Sequence, residues 1–329
     1  MSKTGWIILI VCLSLVFCIC AGIFLAGRIA DSISFDRSDT NVDSNTTKGY
    51  KDLNNPYSSD GTYSIQMNEL KKLNIDWIGG SVTVELTDSD SIVIQEVSDK
   101  TIREKDALRY GVSGTTLRVQ ACKKNYVGKL PRKDLTIFLP RSLAAGLKEC
   151  EFNTVSASVS ADDLGLDELE INTVSGRVNL EHLVADEASV NSVSGKVDMY
   201  MCGFESLRLD SVSGEARFSG EANKIKGSSV SGKFDFTLKD CREIKINTMS
   251  GDITLALAGT PREVQIDTTS GTTRLTLPKD ASCTIRLDAM SGKLYQNEEA
   301  VPTKQLTLGD GAVEFDIDSM SGSVYVYTK

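Results

Sequence analysis

Aromatic side chains are scarce in this sequence: they make up 6% of 329 residues, with two Trp, one His and six Pro. Trp77 is the only Trp beyond residue 6, which excludes a broad indole platform for stacking sugars. With one imidazole, any Ser-His-Asp site would have to be built on His182. Positive charge is also short, with 36 Lys and Arg against 45 Asp and Glu, a net charge of -9 and a pI of about 4.9. Phosphate neutralisation needs clustered cations, so nucleic acid is excluded as a partner. The same deficit removes any general attraction to anionic lipid. Cysteine is present but unpatterned. Three of the eight (Cys12, Cys18, Cys20) lie in one apolar run; the rest are Cys122, Cys150, Cys202, Cys241 and Cys283. An odd number without C-x-x-C or regular spacing is neither a disulfide framework nor a zinc site. No cofactor is expected.

Long apolar runs are absent except for one. Trp6 to Ala26, WIILIVCLSLVFCICAGIFLA, carries no charge and as a helix spans roughly 30 Å, the thickness of a hydrocarbon core. It exceeds a usual signal-peptide core and no A-x-A site follows, so it reads as an uncleaved signal anchor. Residues 1–5 are then a short cytoplasmic tail, and the rest is expected outside a single-pass cell membrane. Residues 27–62 are rich in Asp, Ser, Asn, Thr and Gly, the composition of a solvated spacer.

Beyond residue 62 the pattern alternates. SVTVEL (81–86), SIVIQEV (91–97), TTLRVQA (115–121) and DLTIFLP (134–140) are short runs of strand type, and no useful 3.6-residue period appears. Pro131 and Pro140 mark strand ends, where a ladder donor is lost. Self-similarity then dominates. NTVSASV (153–159), NTVSGRV (172–178), NSVSGKV (191–197), DSVSGEA (210–216), SSVSGKF (228–234), NTMSGDI (247–253), DTTSGTT (267–273), DAMSGKL (288–294) and DSMSGSV (318–324) recur at steps of 18 to 21 residues, apart from one longer last step.

Numbering each unit from its leading Asn, Asp or Ser as zero, positions −3 and −1 are apolar almost throughout, as are most of +6 and +8. Each pair has the period of two that turns one face of a strand inward. Parity changes between −1 and +2, so the chain turns a corner there, closed by Asx- and ST-turn bonds. Gly at +4 supplies backbone freedom or room for close approach. A unit of about 19 residues cannot bury its stripe alone and must stack on its neighbours at about 4.8 Å per rung. A propeller blade needs about 40 residues. The expectation is an all-β, single-domain parallel β-helix or solenoid of ~19-residue rungs over residues 63–329, most regular over 150–329, preceded by one transmembrane helix. IDWIGGSVTV (75–84) fits the frame with Asp76 at zero and Val82 and Val84 at +6 and +8.

The run DLTIFLP followed by serial TVSG and SVSG units resembles the bacterial putative-adhesin domains of the LiaG-like type, a family of unknown function, over roughly residues 63–329. The resemblance implies a β-helical fold and association with the cell envelope. It supplies no catalytic residues.

Carboxylates are the remaining candidates for chemistry. Asp210, Asp267, Asp288 and Asp318 share position zero, and Asp267 and Asp288 are expected as neighbours with Asp318 next. Stacked carboxylates must face water, share a proton or bind a cation, which makes Asp267, Asp288 and Asp318 the candidate ligands for an ion such as Ca²⁺. The G-G-x-G-x-D repeat of calcium-binding β-rolls is absent. The serines of the SG pairs are turn serines, since G-x-S-x-G is missing. A non-enzymatic, membrane-anchored envelope protein, presenting its surface to a protein or an envelope polymer, is the leading functional expectation. A carbohydrate-active enzyme using paired Asp residues is one alternative, and a scaffold that self-associates end to end is the other. The terminal GSVYVYTK is read as an uncovered last strand open to such association.

Overall fold

A computed structural model describes residues 53, 55–123 and 130–329. The expected anchor, residues 6–26, and most of the spacer, up to residue 52 and residue 54, lie outside them. Among the described residues, no helix is long and apolar enough to cross a membrane.

The alternation in the sequence is realised as rungs of two strands, named here by their position-zero residue. In the Asn172 rung, Gly165–Thr173 leads to the corner and Val178–Glu181 leaves it. The leading strand pairs in parallel with Glu149–Thr154 on one side and Val184–Ser192 on the other. The departing strand pairs with Ser158–Asp162 and with the start of Val197–Ser211. Register is one-to-one, Asn153↔Asn172↔Asn191, so like residues form columns. The stack continues through the Asp210, Ser228, Asn247 and Asp267 rungs.

Side chains at −3 and −1 fill the interior: Leu169, Ile171, Leu207, Ile244, Ile246 and Ile266 are each at most 2% exposed or fully buried. From the departing strands, Val178, Leu180, Phe236, Ile253, Leu255 and Val326 are fully buried. Burying each such side chain contributes about 1.5–3 kcal/mol, which is what drives rungs to stack. The Ser228 rung breaks the pattern with Gly227 at −1, and the Phe234 ring occupies the space; a Cβ on Gly227 would lie 3.2 Å from its Cζ. Phe234, Phe236, Phe218 and Phe204 pack ring against ring with centroids 5.5–6.3 Å apart. One core cluster runs from Tyr63 to Val326.

The corner is closed by a column that the sequence reading overlooked. Position +1 points inward, and its hydroxyl is buried: Thr173, Ser192, Ser211, Ser229, Thr248 and Ser319. Each accepts a bond from the backbone N–H at +4, as in Gly176 N–H to Thr173 Oγ1 (2.9 Å) and Gly214 N–H to Ser211 Oγ (2.8 Å). A buried hydroxyl needs such a partner. The VSG serines at +3 are exposed, and their N–H groups bond to the +2 carbonyl of the preceding rung, as Ser175 does to Val155 (2.8 Å). Gly at +4 is required by close approach rather than by φ. A Cβ there would stand 1.8–2.3 Å from the +4 carbonyl oxygen of the rung below at Gly176, Gly195, Gly214, Gly232 and Gly251.

Both ends depart from chain order. The Asp76 rung, Lys72–Trp77 with Gly80–Thr87, lies between the Asn153 rung and an outer rung made of Thr116–Gln120 and Lys133–Pro140. Val82 and Val84 align with Val159 and Ala161, in the frame read from the sequence. At the other end Val313–Ser319 sits between Glu263–Thr268 and Cys283–Ala289, and Ser323–Thr328 sits between Thr272–Leu277 and Leu294–Gln296. This corrects two expectations. Asp267 and Asp288 are not neighbours, because Asp318 stands between them. The terminal strand is internal, not an uncovered edge. The edges carry antiparallel strands instead: Arg109–Ser113 and Ile92–Val97 at the amino-terminal end, with Thr62–Ile65 outside the latter, and Gln305–Leu308 and Glu299–Ala300 at the other. Antiparallel hairpins close a parallel stack without leaving its rungs as bare templates.

Candidate functional site

The position-zero column runs the length of the stack, and its chemistry changes along the way. In the middle it is a ladder of amides. Asn191 Nδ2 donates to Asn172 Oδ1 (2.9 Å), Asn172 Nδ2 to Asn153 Oδ1 (2.9 Å), and Asn153 Nδ2 to Asp76 Oδ1 (3.1 Å). The bonds run between rungs, so these side chains tie the stack together rather than closing the local turn that the sequence suggested. Asp76 is buried and also accepts from Arg118 Nη2 (2.9 Å) and Gln120 Nε2 (3.1 Å). Asp210 accepts from Arg208 Nε (2.6 Å).

Towards the carboxyl end the column becomes Asn247, Asp267, Asp318, Asp288. Register partners in adjacent parallel strands lie about 5 Å apart. Burial, and secondly the Asp318 charge, push the Asp267 carboxyl up to about 6 from 3.8, against a bond from Gln265 that lowers it. All three sequence candidates thus share one column. The described residues nevertheless contain no group of three or more His, Cys, Asp and Glu arranged to hold a metal ion. Glycosidase carboxylates flank a bond held in a cleft; here the carboxylates are stacked along a ladder edge. His182 sits at an exposed corner with φ 51°, its Nδ1 2.9 Å from Asp162 Oδ1.

The outward sheet face offers a different feature. Asp198, Tyr200, Arg217, Ser219, Asp235 and Thr237 line an open depression of about 280 Å³, with the backbone of the inward-facing Met199 and Phe218 between them. Tyr200 is 56% exposed at its rim. Arg217 is held by Glu215 at 2.9 Å, and Asp198 by Lys196 at 3.0 Å. These residues come from three successive departing strands, whose parity turns them outward. The sequence carries that signal in the +7 and +9 positions, which the reading of the repeat did not use.

A buried ionic cluster also went unread. Lys133 lies at an inward position of DLTIFLP by parity, one residue before the run, and is 2% exposed. Its Nζ stands 2.5 Å from Glu96 Oε1, donates to Asp106 O (2.6 Å) and Ala121 O, and lies 5.1 Å from the Trp77 ring. Burial lowers its affinity for the proton, opposed by Glu96. Glu96 in turn accepts the Leu108 N–H (3.1 Å). Every donor of the ammonium has a partner, so the cluster clamps the amino-terminal end together. Cys122 beside it is pushed up to about 11 by burial. Cys150, Cys202, Cys241 and Cys283 are buried and raised by the same cause, and all five are free thiols.

No curated protein matches the chain. Solved structures resemble it at low identity. One is a crystal structure described as a putative adhesin from Parabacteroides distasonis, with 12% identity, 82% of this chain and 98% of that one covered, and a TM-score of 0.49. Another, from the same organism, is described as a putative lipid binding protein, with 15% identity, 82% and 96% coverage and a TM-score of 0.48. A putative adhesin from Parabacteroides merdae has 14% identity, 80% and 95% coverage and a TM-score of 0.46. A family model, described as Toastrack DUF4097, matches residues 70–326, most of the described stack. The chain belongs to the Toastrack DUF4097 family, a putative-adhesin domain family of unknown function.

Proposed function

We propose that this chain is a non-enzymatic binding protein of the cell envelope, tethered by Trp6–Ala26, whose outward departing-strand face engages an envelope polymer or a protein. The observation that carries this is the open depression formed by Asp198, Tyr200, Arg217 and Asp235 on that face. It mixes both charges with an exposed ring, a composition suited to recognition. Its side chains project from rigid strands, so they are preorganised. Leu53, Asn55 and Tyr57 pack on the amino-terminal hairpins: Asn55 Oδ1 accepts the Tyr110 N–H (2.9 Å) and Tyr57 donates to Ile102 O (2.9 Å). A tether arriving at residue 53 joins the stack at its amino-terminal end.

The test is co-sedimentation of the full chain, in mild detergent, with purified envelope polysaccharide and with whole envelope fragments. Tyr200→Ala with Arg217→Ala is expected to reduce binding at least tenfold without changing thermal stability. Equal binding by the double variant refutes the site. Protease shaving of intact cells checks the topology, and a protected domain refutes the extracytoplasmic placement. The raised carboxyl of Asp267 beside Asp318 favours one second reading, a carbohydrate-active enzyme. New reducing or unsaturated ends on incubation with envelope polysaccharide would establish it.

A further inference from the structure

The two ends of the stack share a topology. At the amino-terminal end the inner rung brings Asp76, held by Arg118, Gln120 and Asn153. At the carboxyl end the chain leaves the Asp267 rung, passes over one slot to build the Asp288 rung, and returns to fill that slot with the Asp318 rung. Residues 283–329 consequently pair among themselves. Cys283–Ala289 bonds to Val313–Ser319 and Gln305–Leu308, and Leu294–Gln296 to Ser323–Thr328 and Glu299–Ala300. Their strand pairing with the body is confined to one junction: Val313–Ser319 on Glu263–Thr268 and Ser323–Thr328 on Thr272–Leu277. A single covalent link, the turn at 278–282, joins the two parts, with Ala281 N–H on Pro278 O (3.1 Å).

That junction places Asp318 in register with Asp267. The charged groups around the pair come from every strand packed there. Lys245 on the Asn247 rung engages Glu243 (2.8 Å) and Glu263 (2.9 Å). Asp316 and Asp288 lie on the cap, and Arg286 engages Glu314 (2.5 Å). Lys304 donates from Nζ to Ala289 O, beside Asp288.

We propose that residues 283–329 form an exchangeable cap, which opens at the 278–282 turn and pairs with the Asp267 rung of a second copy of this chain. Shape selects that partner. The edge left behind turns Val264, Ile266, Thr273 and Leu275 inward, in register with Phe315, Ile317, Val324 and Val326 of the cap. It also presents Gly271 O, which a Cβ at Gly322 would approach to 2.5 Å, so an incoming strand needs glycine at that place. Every copy of the chain carries a cap that meets both conditions, and a reciprocal exchange restores every contact that opening removes.

Opening is coupled to pH through the junction. Burial and the Asp318 charge raise the Asp267 carboxyl to about 6 in the closed junction, and opening removes Asp318 and returns the carboxyl to water, so closure weakens as pH rises towards about 6 and stays weakened above. Exchange is expected to be about tenfold faster at pH 7.5 than at pH 4.5, after allowance for solvent screening.

The experiment mixes two differently tagged copies of the full chain in mild detergent at both pH values and measures mixed dimers by tandem affinity capture. Thr272→Cys with Ser323→Cys places two thiols at register partners across the junction, within the span of a disulfide. Oxidation before mixing is expected to abolish exchange, and oxidation afterwards to give a covalent dimer on a non-reducing gel. Asp267→Asn is expected to level the two rates. Absence of mixed dimers at either pH overturns the proposal. So do mixed dimers that the preformed disulfide does not block, since these arise elsewhere in the chain. Equal rates at the two pH values in the parent overturn the electrostatic coupling.

Discussion

Replacing Asp267 by Asn is expected to stabilise the protein at neutral pH and to have almost no effect below pH 4. The column supplies its own control, because Asn153, Asn172 and Asn191 occupy the same place and bond from rung to rung. Burial and the Asp318 charge raise the Asp267 carboxyl from 3.8 to about 6. That difference of roughly two pH units corresponds to about 3 kcal/mol at 1.36 kcal/mol per unit. Asp267 keeps part of its contact with water, and screening reduces the figure to about 1–2 kcal/mol. The sign follows from proton linkage. The folded state binds a proton that the unfolded chain has released between pH 3.8 and 6, so wild-type stability falls across that window. An amide carries neither the charge nor the dependence. Urea unfolding of both proteins at pH 4, 5, 6 and 7.5 measures it. The gain from Asp267→Asn should grow across that series and level off above pH 6. A constant difference, or one that shrinks as pH rises, refutes the like-charge column as the cause.

Other substitutions test the rest of the frame. Gly214→Ala should cost about 2–3 kcal/mol, because its Cβ would stand 2.2 Å from Gly195 O and force two rungs apart; Gly165→Ala, with nothing within 4 Å, should change stability by less than about 1 kcal/mol in the same melts. Lys133→Met should cost about 3–5 kcal/mol by leaving Glu96 buried without its cation, and adding Glu96→Gln should recover part of that loss in urea titrations. Asn172→Ala removes the acceptor of Asn191 and a donor to Asn153, and should lower stability by about 1–3 kcal/mol without altering the circular dichroism of the folded protein.

The rung was legible because its physics is local. Side chains alternate on a strand whatever lies beyond it, so −3, −1, +6 and +8 identify the core residues, and glycine at +4 marks the close corner. Leu169, Ile171, Val178 and Leu180 are buried as that frame requires. The clamp at Lys133 was readable in principle, as a charge at an inward parity position, but its partners Glu96 and the Asp106 carbonyl come from segments tens of residues away. The depression at Tyr200 and Arg217 needed three strands in register before it existed.

Sequence alone therefore determined the unit: its length, its inward face, its corner and its need to stack. Only the tertiary structure decided the order of the units at the ends. A repeat specifies which faces pair, but identical faces fit in more than one order, and chain order is a default that a long enough connection can override. The 30-residue step from Asp288 to Asp318 is such a connection. It lets the chain build an outer rung and its antiparallel cover first, then return to the slot beneath, which places Asp318 against Asp267 and buries the last strand of the chain.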